Sequence, residues 1–258
     1  MPAAAPRSPR PAPVPRVSVL GVRVDAVSPD DVLRRVNEFL SHPRPRQIAT
    51  ANSLMILAAA RHPGLSHALA AADLVVPDSV GVVWAAARRG ARLIQIPGVE
   101  LMERMCAEAA DRGWTVYLLG AAPGVAAAAA EALQKRYPRL RVTGVDHGYF
   151  AHKEEAAVID RVAQTAPDFL FVALDTPRQD AWIHQHLGRL RAGVTMGVGG
   201  SFDVFAGRVP RAPTWMRRAR LEWLFRLWRE PRRIGRMAEL PRFVFRVLRE
   251  PSAAPGER

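Results

Sequence analysis

Two aspartates flank a short apolar run that has the character of a buried strand. Asp73 and Asp78 stand on either side of Leu-Val-Val-Pro. An aspartate that closes a buried strand can act as a general base, because its carboxylate can accept the proton of a substrate hydroxyl group. The same position also suits a residue that caps a helix beginning near Ser79. The residue types alone leave both interpretations open.

A glycine-containing turn follows the apolar run 114–119. Its sequence, Gly120-Ala-Ala-Pro-Gly124, could present backbone N–H groups and a helix dipole to a phosphate. The turn does not match the G-x-G-x-x-G pattern of dinucleotide sites, and no acidic ribose partner stands out about twenty residues later. A simple tight turn is therefore the favoured interpretation, and a dinucleotide-dependent oxidoreductase is disfavoured.

The most specific motifs for metal ligands and nucleophiles do not occur in the sequence. It contains no H-E-x-x-H, C-x-x-C, G-x-S-x-G or D-x-D pattern. His184 and His186 lie two positions apart on a predicted helix, so we interpret them as part of a solvated helix surface. The single cysteine, Cys106, cannot form an internal disulfide, which suits a reducing cytosol. We expect neither a metal nor a cofactor.

Short β-rich runs alternate with helical patterns between Val17 and Met196. This rhythm predicts an α/β, Rossmann-like fold with a mostly parallel sheet flanked by helices. A helix should begin at Ser28-Pro-Asp-Asp, where serine can cap the first turn. The predicted strands are 17–24, which could be one arm of a hairpin, 47–50, 74–77, 114–119, 140–145, 169–174 and 194–198.

Ligands of such folds bind at the carboxyl ends of the strands. Polar residues and glycines that end or follow a predicted strand are therefore the positions at which we expect a binding site. These are Thr50, Asn52, Asp78, Gly120, Asp175 and Gly199.

The C-terminal part of the chain is strongly basic and rich in tryptophan. Residues 208–250 contain thirteen arginines and four glutamates, a net charge of +9 out of +13 for the chain. Trp215, Trp223 and Trp228 are interleaved with them, and helices are predicted at 214–229 and 232–249, with an interruption at Pro241. Combined cationic and apolar residues indicate docking on an anionic membrane surface. Alternatively, the aromatic residues pack on the sheet domain and the arginines are solvated.

The composition changes along the chain predict four regions. They are a disordered arm at 1–16, an α/β domain at 17–207, a basic amphipathic helical appendage at 208–250 and a disordered tail at 251–258. The first region lacks the apolar segment of a signal peptide. No uninterrupted apolar run reaches the roughly 18–20 residues that span a bilayer. We therefore expect a cytoplasmic protein that associates peripherally with the membrane.

Five motif blocks occur in a fixed order along the chain. They are Thr50-Ala-Asn52, Ala72-Asp-Leu-Val-Val-Pro-Asp78-Ser-Val-Gly-Val-Val, Ile96-Pro-Gly-Val-Glu-Leu, Thr176-Pro-Arg-Gln179-Asp-Ala-Trp182, and Gly197-Val-Gly-Gly-Ser-Phe-Asp203 with Ala206-Gly, Arg211-Ala-Pro and Leu221-Glu-Trp-Leu-x-Arg-Leu-x-x-Glu-Pro-x-Arg. In this order and spacing they resemble the WecG/TagA/CpsF family of bacterial glycosyltransferases. The resemblance covers residues 17 to 249. The family includes N-acetylmannosaminyltransferases of teichoic acid and enterobacterial common antigen synthesis.

The resemblance implies transfer of a hexose or N-acetylhexosamine from a UDP-sugar to a polyprenyl-diphosphate-linked saccharide, with inversion and without a required metal. It implies that Asp78 is the catalytic base and that Thr50, Asn52 and Gln179 complete the catalytic set. The expected substrate and UDP contacts are Gly120, Gly199, Asp203, Arg226, Arg233 and Arg236. The implied partners are the UDP-sugar, the lipid-linked acceptor, the inner membrane surface and a second copy of the chain in a homo-oligomer, with no nucleic acid.

The residue types suit this chemistry. An inverting transfer needs one carboxylate to deprotonate the acceptor and positive charge to stabilise the leaving diphosphate, and arginine can bind phosphate oxygens in a bidentate manner. Two blocks depart from the family pattern: Asp-Gly is Asp78-Ser79 here, and P-k-Q-E is Pro-Arg-Gln179-Asp180. The serine adds bulk beside the sugar pocket, so the identity of the donor sugar is not carried over.

Two alternatives stay open. The pI of about 11.3 and the arginine-rich appendage also suit a nucleic-acid-binding protein. The change at Ser79 also suits a relative that binds sugar nucleotides without catalysis.

Overall fold

The computed structural model describes residues 14–213, 215–216, 225, 235 and 238–250. Most of the arm predicted at 1–16 and all of the tail predicted at 251–258 lie outside these residues. So does most of the helix predicted at 214–229. The predicted diphosphate contacts Arg226, Arg233 and Arg236 also lie outside them.

The described chain begins with an antiparallel hairpin rather than with a single strand across 17–24. Strand β1 (Arg16–Val19) pairs with β2 (Val22–Asp25) through a two-residue turn in which both φ angles are positive. Consecutive positive φ angles are typical of tight turns whose twist matches that of a hairpin. The Asp25 carboxylate accepts the Val75 N–H at 2.7 Å, which joins the hairpin to the edge of the main sheet.

Six further strands form the main sheet. They are β3 (Arg46–Ala51), β4 (Leu74–Pro77), β5 (Thr115–Gly120), β6 (Arg141–Asp146), β7 (Phe169–Ala173) and β8 (Val194–Gly197). Their order across the sheet is β4–β3–β8–β7–β5–β6, and every neighbouring pair is parallel. Each strand end lies within one residue of its predicted position. The predicted α/β fold is therefore confirmed.

Helices cover the sheet. They are α1 (Pro29–Leu40), α2 (Ser53–Ala59), α3 (Pro63–Ala71), α4 (Val80–Arg88), α5 (Gly98–Arg112), α6 (Val125–Arg136), α7 (Glu155–Thr165), α8 (Arg178–Leu190), α9 (Ser201–Phe205) and α10 (Glu239–Arg249). The predicted start of α1 is confirmed, because the Ser28 hydroxyl accepts the Asp31 N–H at 3.1 Å while the Asp31 carboxylate accepts the Ser28 N–H at 2.8 Å. This reciprocal capping satisfies two N–H groups that have no partner within the helix.

Alternate residues of the central strands belong to different cores. Phe169 and Phe171 pack with α1, α5 and α6 on one face of the sheet, whereas Leu170 and Val172 pack with α7 and α8 on the other. A third cluster joins the hairpin to α2, α3, α4 and α10. Because both faces are buried, polar side chains that meet a ligand are confined to the strand ends.

Helix α10 packs against α2. Phe243 and Val247 are buried in the third cluster, with 1% and 4% of their surface exposed. Two ion pairs hold the ends of the helix: Arg61–Glu239 at 2.7 Å and Arg89–Glu250 at 3.1 Å. Part of the predicted appendage is thus packed onto the α/β domain. This agrees with the interpretation in which its aromatic residues pack on the sheet domain.

Helix α10 begins at Glu239, two residues before the predicted interruption at Pro241, and residues 236–237 lie outside the described part of the chain. Pro241 is the third residue of α10, where its missing N–H removes no intrahelical hydrogen bond. Within the part of the chain that the structure covers, no helix combines the length and the apolar character needed to cross a bilayer.

We expect Gly120→Ala to destabilise the fold. Gly120 has a φ of +133°, and a methyl group there would lie 2.2 Å from the Ala173 carbonyl oxygen. Backbone strain and overpacking each cost about 1–3 kcal/mol, so the free energy of unfolding in urea should fall by at least about 2 kcal/mol. The control, Gly188→Ala in α8, meets no atom within 4 Å and should stabilise the protein by about 0.5–1 kcal/mol. Equal effects of the two variants would contradict this account.

Candidate active site

The carboxyl ends of the strands open into a cleft of about 1700 Å³. Seven of the predicted site residues line it: Thr50, Asn52, Asp78, Asp175, Gln179, Gly199 and Asp203. They come from the ends of β3 and β4, the loop after β7, the start of α8, the loop after β8, and α9. Gly120 is not among the described lining residues, and Ala121 lies there instead. Gly120 is the last residue of β5, where this strand lies close to the backbone of β7 at Ala173.

The Asp78 carboxylate lies at the amino-terminal end of α5. Its Oδ1 accepts the Gly98 N–H at 2.7 Å, and the Asp78 carbonyl oxygen accepts a hydrogen bond from Gln95 Nε2 at 3.0 Å. Gly98 is the first residue of α5, so the positive end of the helix dipole favours the ionised carboxylate. The alternative role, capping of α4, is not observed: Ser79 is the N-cap residue of α4, and no side-chain capping bond is made there.

Thr50 and Asp78 approach the same point of the cleft, beside Gly98. A methyl group at Gly98 would lie 3.4 Å from Thr50 Cγ2 and 3.6 Å from Asp78 Oδ1. The Thr50 hydroxyl donates to the Gly197 carbonyl oxygen at 3.0 Å, which fixes its orientation. The neighbouring ends of β3 and β4 therefore place a hydroxyl and a carboxylate together.

Asn52 and Ser79 are both bonded to the first turn of α2. Asn52 is the N-cap residue of this helix, and its Oδ1 accepts the Met55 N–H at 3.0 Å. The Ser79 hydroxyl accepts the Ser53 N–H at 3.2 Å and lies 3.2 Å from the Ser53 hydroxyl. The hydroxyl that distinguishes Ser79 from the glycine of the family pattern is thus bonded to α2.

Gln179 connects the ends of β7 and β8. Its Oε1 accepts the Gly199 N–H at 2.9 Å and the Leu174 N–H at 3.3 Å, and its Nε2 donates to Asp180 Oδ2 at 3.2 Å. Gly199 has a φ of +49°, in the left-handed region that glycine adopts readily. The Gln179 amide therefore lines the cleft while it is bonded to the protein at both ends.

Asp180 is buried behind Gln179. Burial raises the pKa of its carboxyl to about 6, although hydrogen bonds from the Gln179 and Gln47 side chains favour the ionised form. The Gln47 Nε2 also donates to the Asp180 carbonyl oxygen at 3.3 Å. In the sequence, Asp180 stands out only because it replaces the glutamate of the family's P-k-Q-E motif. Its position directly after Gln179, an expected catalytic residue, was the one sequence signal that it lies at the site.

The cleft is also lined by two residues that were not predicted from the sequence, Tyr149 and Arg178. Tyr149 is 73% exposed, and its neighbours are fixed: the Gly148 N–H donates to the Ala121 carbonyl oxygen at 2.8 Å, and Phe150 is buried. The Arg178 guanidinium lies 5.0 Å from the centre of the Phe150 ring. Tyr149 follows a predicted strand by a few residues, and Arg178 stands at the lysine position of a family block, so both had a sequence signal.

Arginine is the basic side chain best suited to a diphosphate, and the described cleft contains two. These are Arg61, which pairs with Glu239 at 2.7 Å, and Arg178. Asp203 lines the cleft on α9, and its carbonyl oxygen accepts the Arg208 N–H at 2.9 Å.

The interpretation of both helix α8 histidines as a solvated surface is wrong for His186. His184 is exposed, but His186 is buried, with its ring centre 5.1 Å from that of Trp182 and its Nε2 3.9 Å from Glu155. Residues four apart share a helix face, and this face packs against α7. Burial lowers the pKa of His186. Across the described ranges, no group of three or more His, Cys, Asp or Glu residues could hold a metal ion.

Comparison with known proteins agrees with the motif blocks. The model of the Glycosyl transferase WecG/TagA/CpsF family matches residues 17–255. Relatives from Staphylococcus aureus strains MW2 and NCTC 8325 / PS 47 are each 34% identical over 237 residues, which are 91% of this chain and 92% of theirs. Both are named N-acetylglucosaminyldiphosphoundecaprenol N-acetyl-beta-D-mannosaminyltransferase. The chain therefore belongs to the WecG/TagA/CpsF family of glycosyl transferases.

Proposed function

We propose that the protein is an inverting glycosyltransferase. It moves a sugar from a UDP-sugar to a polyprenyl-diphosphate-linked saccharide during synthesis of a cell-surface polymer. The observation that carries this proposal is the Asp78 carboxylate, which is held within the cleft by the Gly98 N–H and lies close to Thr50. It has the geometry of a base that is fixed in one orientation before the acceptor arrives.

The reaction requires one proton acceptor and one site of positive charge. The Asp78 carboxylate takes the proton of the acceptor hydroxyl, and the acceptor oxygen attacks the anomeric carbon from the side opposite the diphosphate. The bond between this carbon and the diphosphate oxygen breaks, and its electron pair leaves with UDP. Attack from the opposite face inverts the anomeric configuration. The proton then passes from Asp78 to solvent.

Arginine side chains supply the positive charge for the leaving diphosphate. Arg178 lies in the described cleft, where its guanidinium is supported by the Phe150 ring. The family resemblance adds Arg226, Arg233 and Arg236, which would approach from the appendage. A planar guanidinium can bind two phosphate oxygens at once, so a cluster of this kind can stabilise the charge that develops on UDP.

The names of the relatives support the choice of substrates. They describe transfer of N-acetylmannosamine to N-acetylglucosaminyl-diphospho-undecaprenol, so we propose an N-acetylmannosamine-type donor and an acceptor of this class. The Ser79 hydroxyl is bonded to Ser53, which supports a donor pocket little altered by the change from glycine.

An acceptor of this class is anchored in a membrane by its lipid, so we propose that the protein acts at the cytoplasmic membrane surface. Helix α10 buries Phe243 and Val247 but exposes Phe245 and Leu248, which are 52% and 51% exposed. Three arginines share the helix: Arg242, Arg246 and Arg249. A helix with apolar and cationic residues suits an anionic membrane surface. We propose peripheral association through this helix and, on the basis of the family resemblance, self-association of the chain.

Asp78→Asn should abolish transfer while leaving the fold intact. Asparagine can still accept the Gly98 N–H but cannot take a proton at neutral pH. General base catalysis contributes about 10²–10⁴-fold, so kcat for acceptor-dependent UDP release should fall by at least about 100-fold. The KM for the donor should change little. The matched control, Asp160→Asn, alters an exposed aspartate on α7 and should retain activity.

A panel of UDP-sugars tests the donor and the alternative of a non-catalytic relative together. Turnover with UDP-N-acetylmannosamine in the presence of the lipid-linked acceptor supports the proposal. Binding of UDP-sugars without turnover of any of them would instead identify a sugar-nucleotide-binding relative.

Phe245→Ser combined with Leu248→Ser should weaken binding to liposomes that contain anionic lipids. Each large apolar side chain contributes about 1.5–3 kcal/mol when it is fully buried. The partition coefficient between liposomes and water, measured by flotation, should therefore fall at least about tenfold. Added salt should also release the unaltered protein, because each arginine near an anionic surface contributes about 1 kcal/mol that salt screens.

Val145→Ser provides the control, because Val145 is a 39% exposed apolar residue on β6, away from α10. This variant should float like the unaltered protein. Binding of duplex DNA or RNA in place of liposomes would favour the nucleic-acid alternative.

A further inference from the structure

Gln179 and Asp180 form a buried pair at the back of the cleft, and the proposed mechanism gives Asp180 no task. We propose that Asp180 is a positioning residue that orients the Gln179 amide, and that Gln179 acts on the reaction by holding the β8–α9 loop rather than by touching substrate. This inference deepens the proposed function and rests on it.

Backbone donors fix the orientation of the Gln179 amide. Two N–H groups, those of Gly199 and Leu174, point at the same end of the side chain, at 2.9 and 3.3 Å. Only the carbonyl oxygen can accept from both, so the NH₂ group must face Asp180. Asp180 therefore has to provide an acceptor, and its Oδ2 lies 3.2 Å from Gln179 Nε2.

The pair packs closely against Gly197 at the end of β8. A methyl group at Gly197 would lie 2.2 Å from Gln179 Nε2 and 3.2 Å from Asp180 Oδ1. Asp180 is only 1% exposed, and desolvation raises the pKa of its carboxyl. A buried carboxyl is costly, whereas an apolar side chain of similar size would be cheaper if only packing mattered. A carboxylate facing Gln179 Nε2 makes a charge-assisted hydrogen bond that is stronger than the one a neutral acceptor would make, which explains why an acidic residue is found here.

The loop held by this pair lines the cleft. Gln179 bonds the N–H of Gly199, the Ser201 hydroxyl donates to the Val198 carbonyl oxygen at 2.7 Å, and Asp203 follows on α9. From the other side, the Thr50 hydroxyl holds the Gly197 carbonyl oxygen at 3.0 Å. The end of β8 is thus fixed by side chains of both neighbouring strand regions, and the loop is presented to the donor in one conformation.

The test exchanges donor and acceptor within the pair. In Gln179→Glu, a second carboxylate faces Asp180, and two carboxylates at this distance cannot both ionise without a large cost. Acceptor-dependent kcat at pH 8 should fall at least about tenfold, and should recover as the pH is lowered and the pair shares one proton. Adding Asp180→Asn supplies an NH₂ group that donates to the new glutamate, so the double variant should regain activity and lose this pH dependence.

Two further variants complete the comparison. Asp180→Asn alone keeps an acceptor oxygen but replaces a charge-assisted bond with a neutral one, so it should lower kcat only a few-fold. Gln134→Glu is the matched control, because Gln134 lies on α6, where its Nε2 donates to the Leu140 carbonyl oxygen at 3.3 Å. Its kcat and its pH profile should stay those of the unaltered protein.

Hydrogen exchange of the peptide 197–203 reports on the loop independently of catalysis. Exchange should be faster in Gln179→Glu at pH 8 and slow again in the double variant. A double variant that restores slow exchange but stays inactive would overturn the inference, because Gln179 would then act on substrate through its NH₂ group. Unaltered exchange in Gln179→Glu would also overturn it. If exchange behaves as expected but no UDP-sugar is turned over by the unaltered protein, the proposed function has failed and the loop-holding role stands.

Discussion

All strands of the main sheet run in one direction, and both of its faces are covered by helices. Polar side chains that could meet a ligand are thereby confined to the edge at which the strands end. At that edge the backbone leaves its ladder of hydrogen bonds, and its polar groups still need partners. Thr50 provides one for Gly197, and Gln179 provides one for Gly199. The side chains that complete the end of the fold are therefore the same ones that shape the cleft.

Two carboxylates at this edge occupy opposite environments. Asp78 lines the open cleft and accepts an N–H from the start of α5, where the helix dipole favours its charge. Asp180 lies in the interior, where desolvation raises its pKa to about 6. A base has to be reached by the acceptor, and the position of Asp78 in the cleft suits the role proposed for it. A residue that only holds a neighbour needs no access to substrate, which is the situation of Asp180.

The sheet could be predicted from the sequence because its signals are local. Short apolar runs and their flanking turn residues placed every strand end within one residue, and the parallel arrangement then placed Thr50, Asn52 and Asp78 together. The direction of the Asp78 carboxylate could not be predicted, since capping of α4 and contact with α5 demand the same residue type. The burial of His186 was also missed, because the packing of α7 on α8 joins residues that are distant in the sequence. Long-range packing decided both cases.

Helix α10 contributes both to the cleft and to the exposed surface of the protein. Phe243 anchors it against α2, the helix whose N-cap is Asn52, while Leu240 and Val244 line the cleft and Phe245 faces outward. Because α10 is packed in this way, it fixes the distance between the cleft and any surface that contacts the exposed side of the helix. The diphosphate of a lipid-linked acceptor stays at the headgroup level, because its charge cannot enter the hydrocarbon. A transferase for such an acceptor has to bring its cleft to the bilayer surface, and the proposed role of α10, which is buried on one side and cationic and apolar on the other, rests on this requirement.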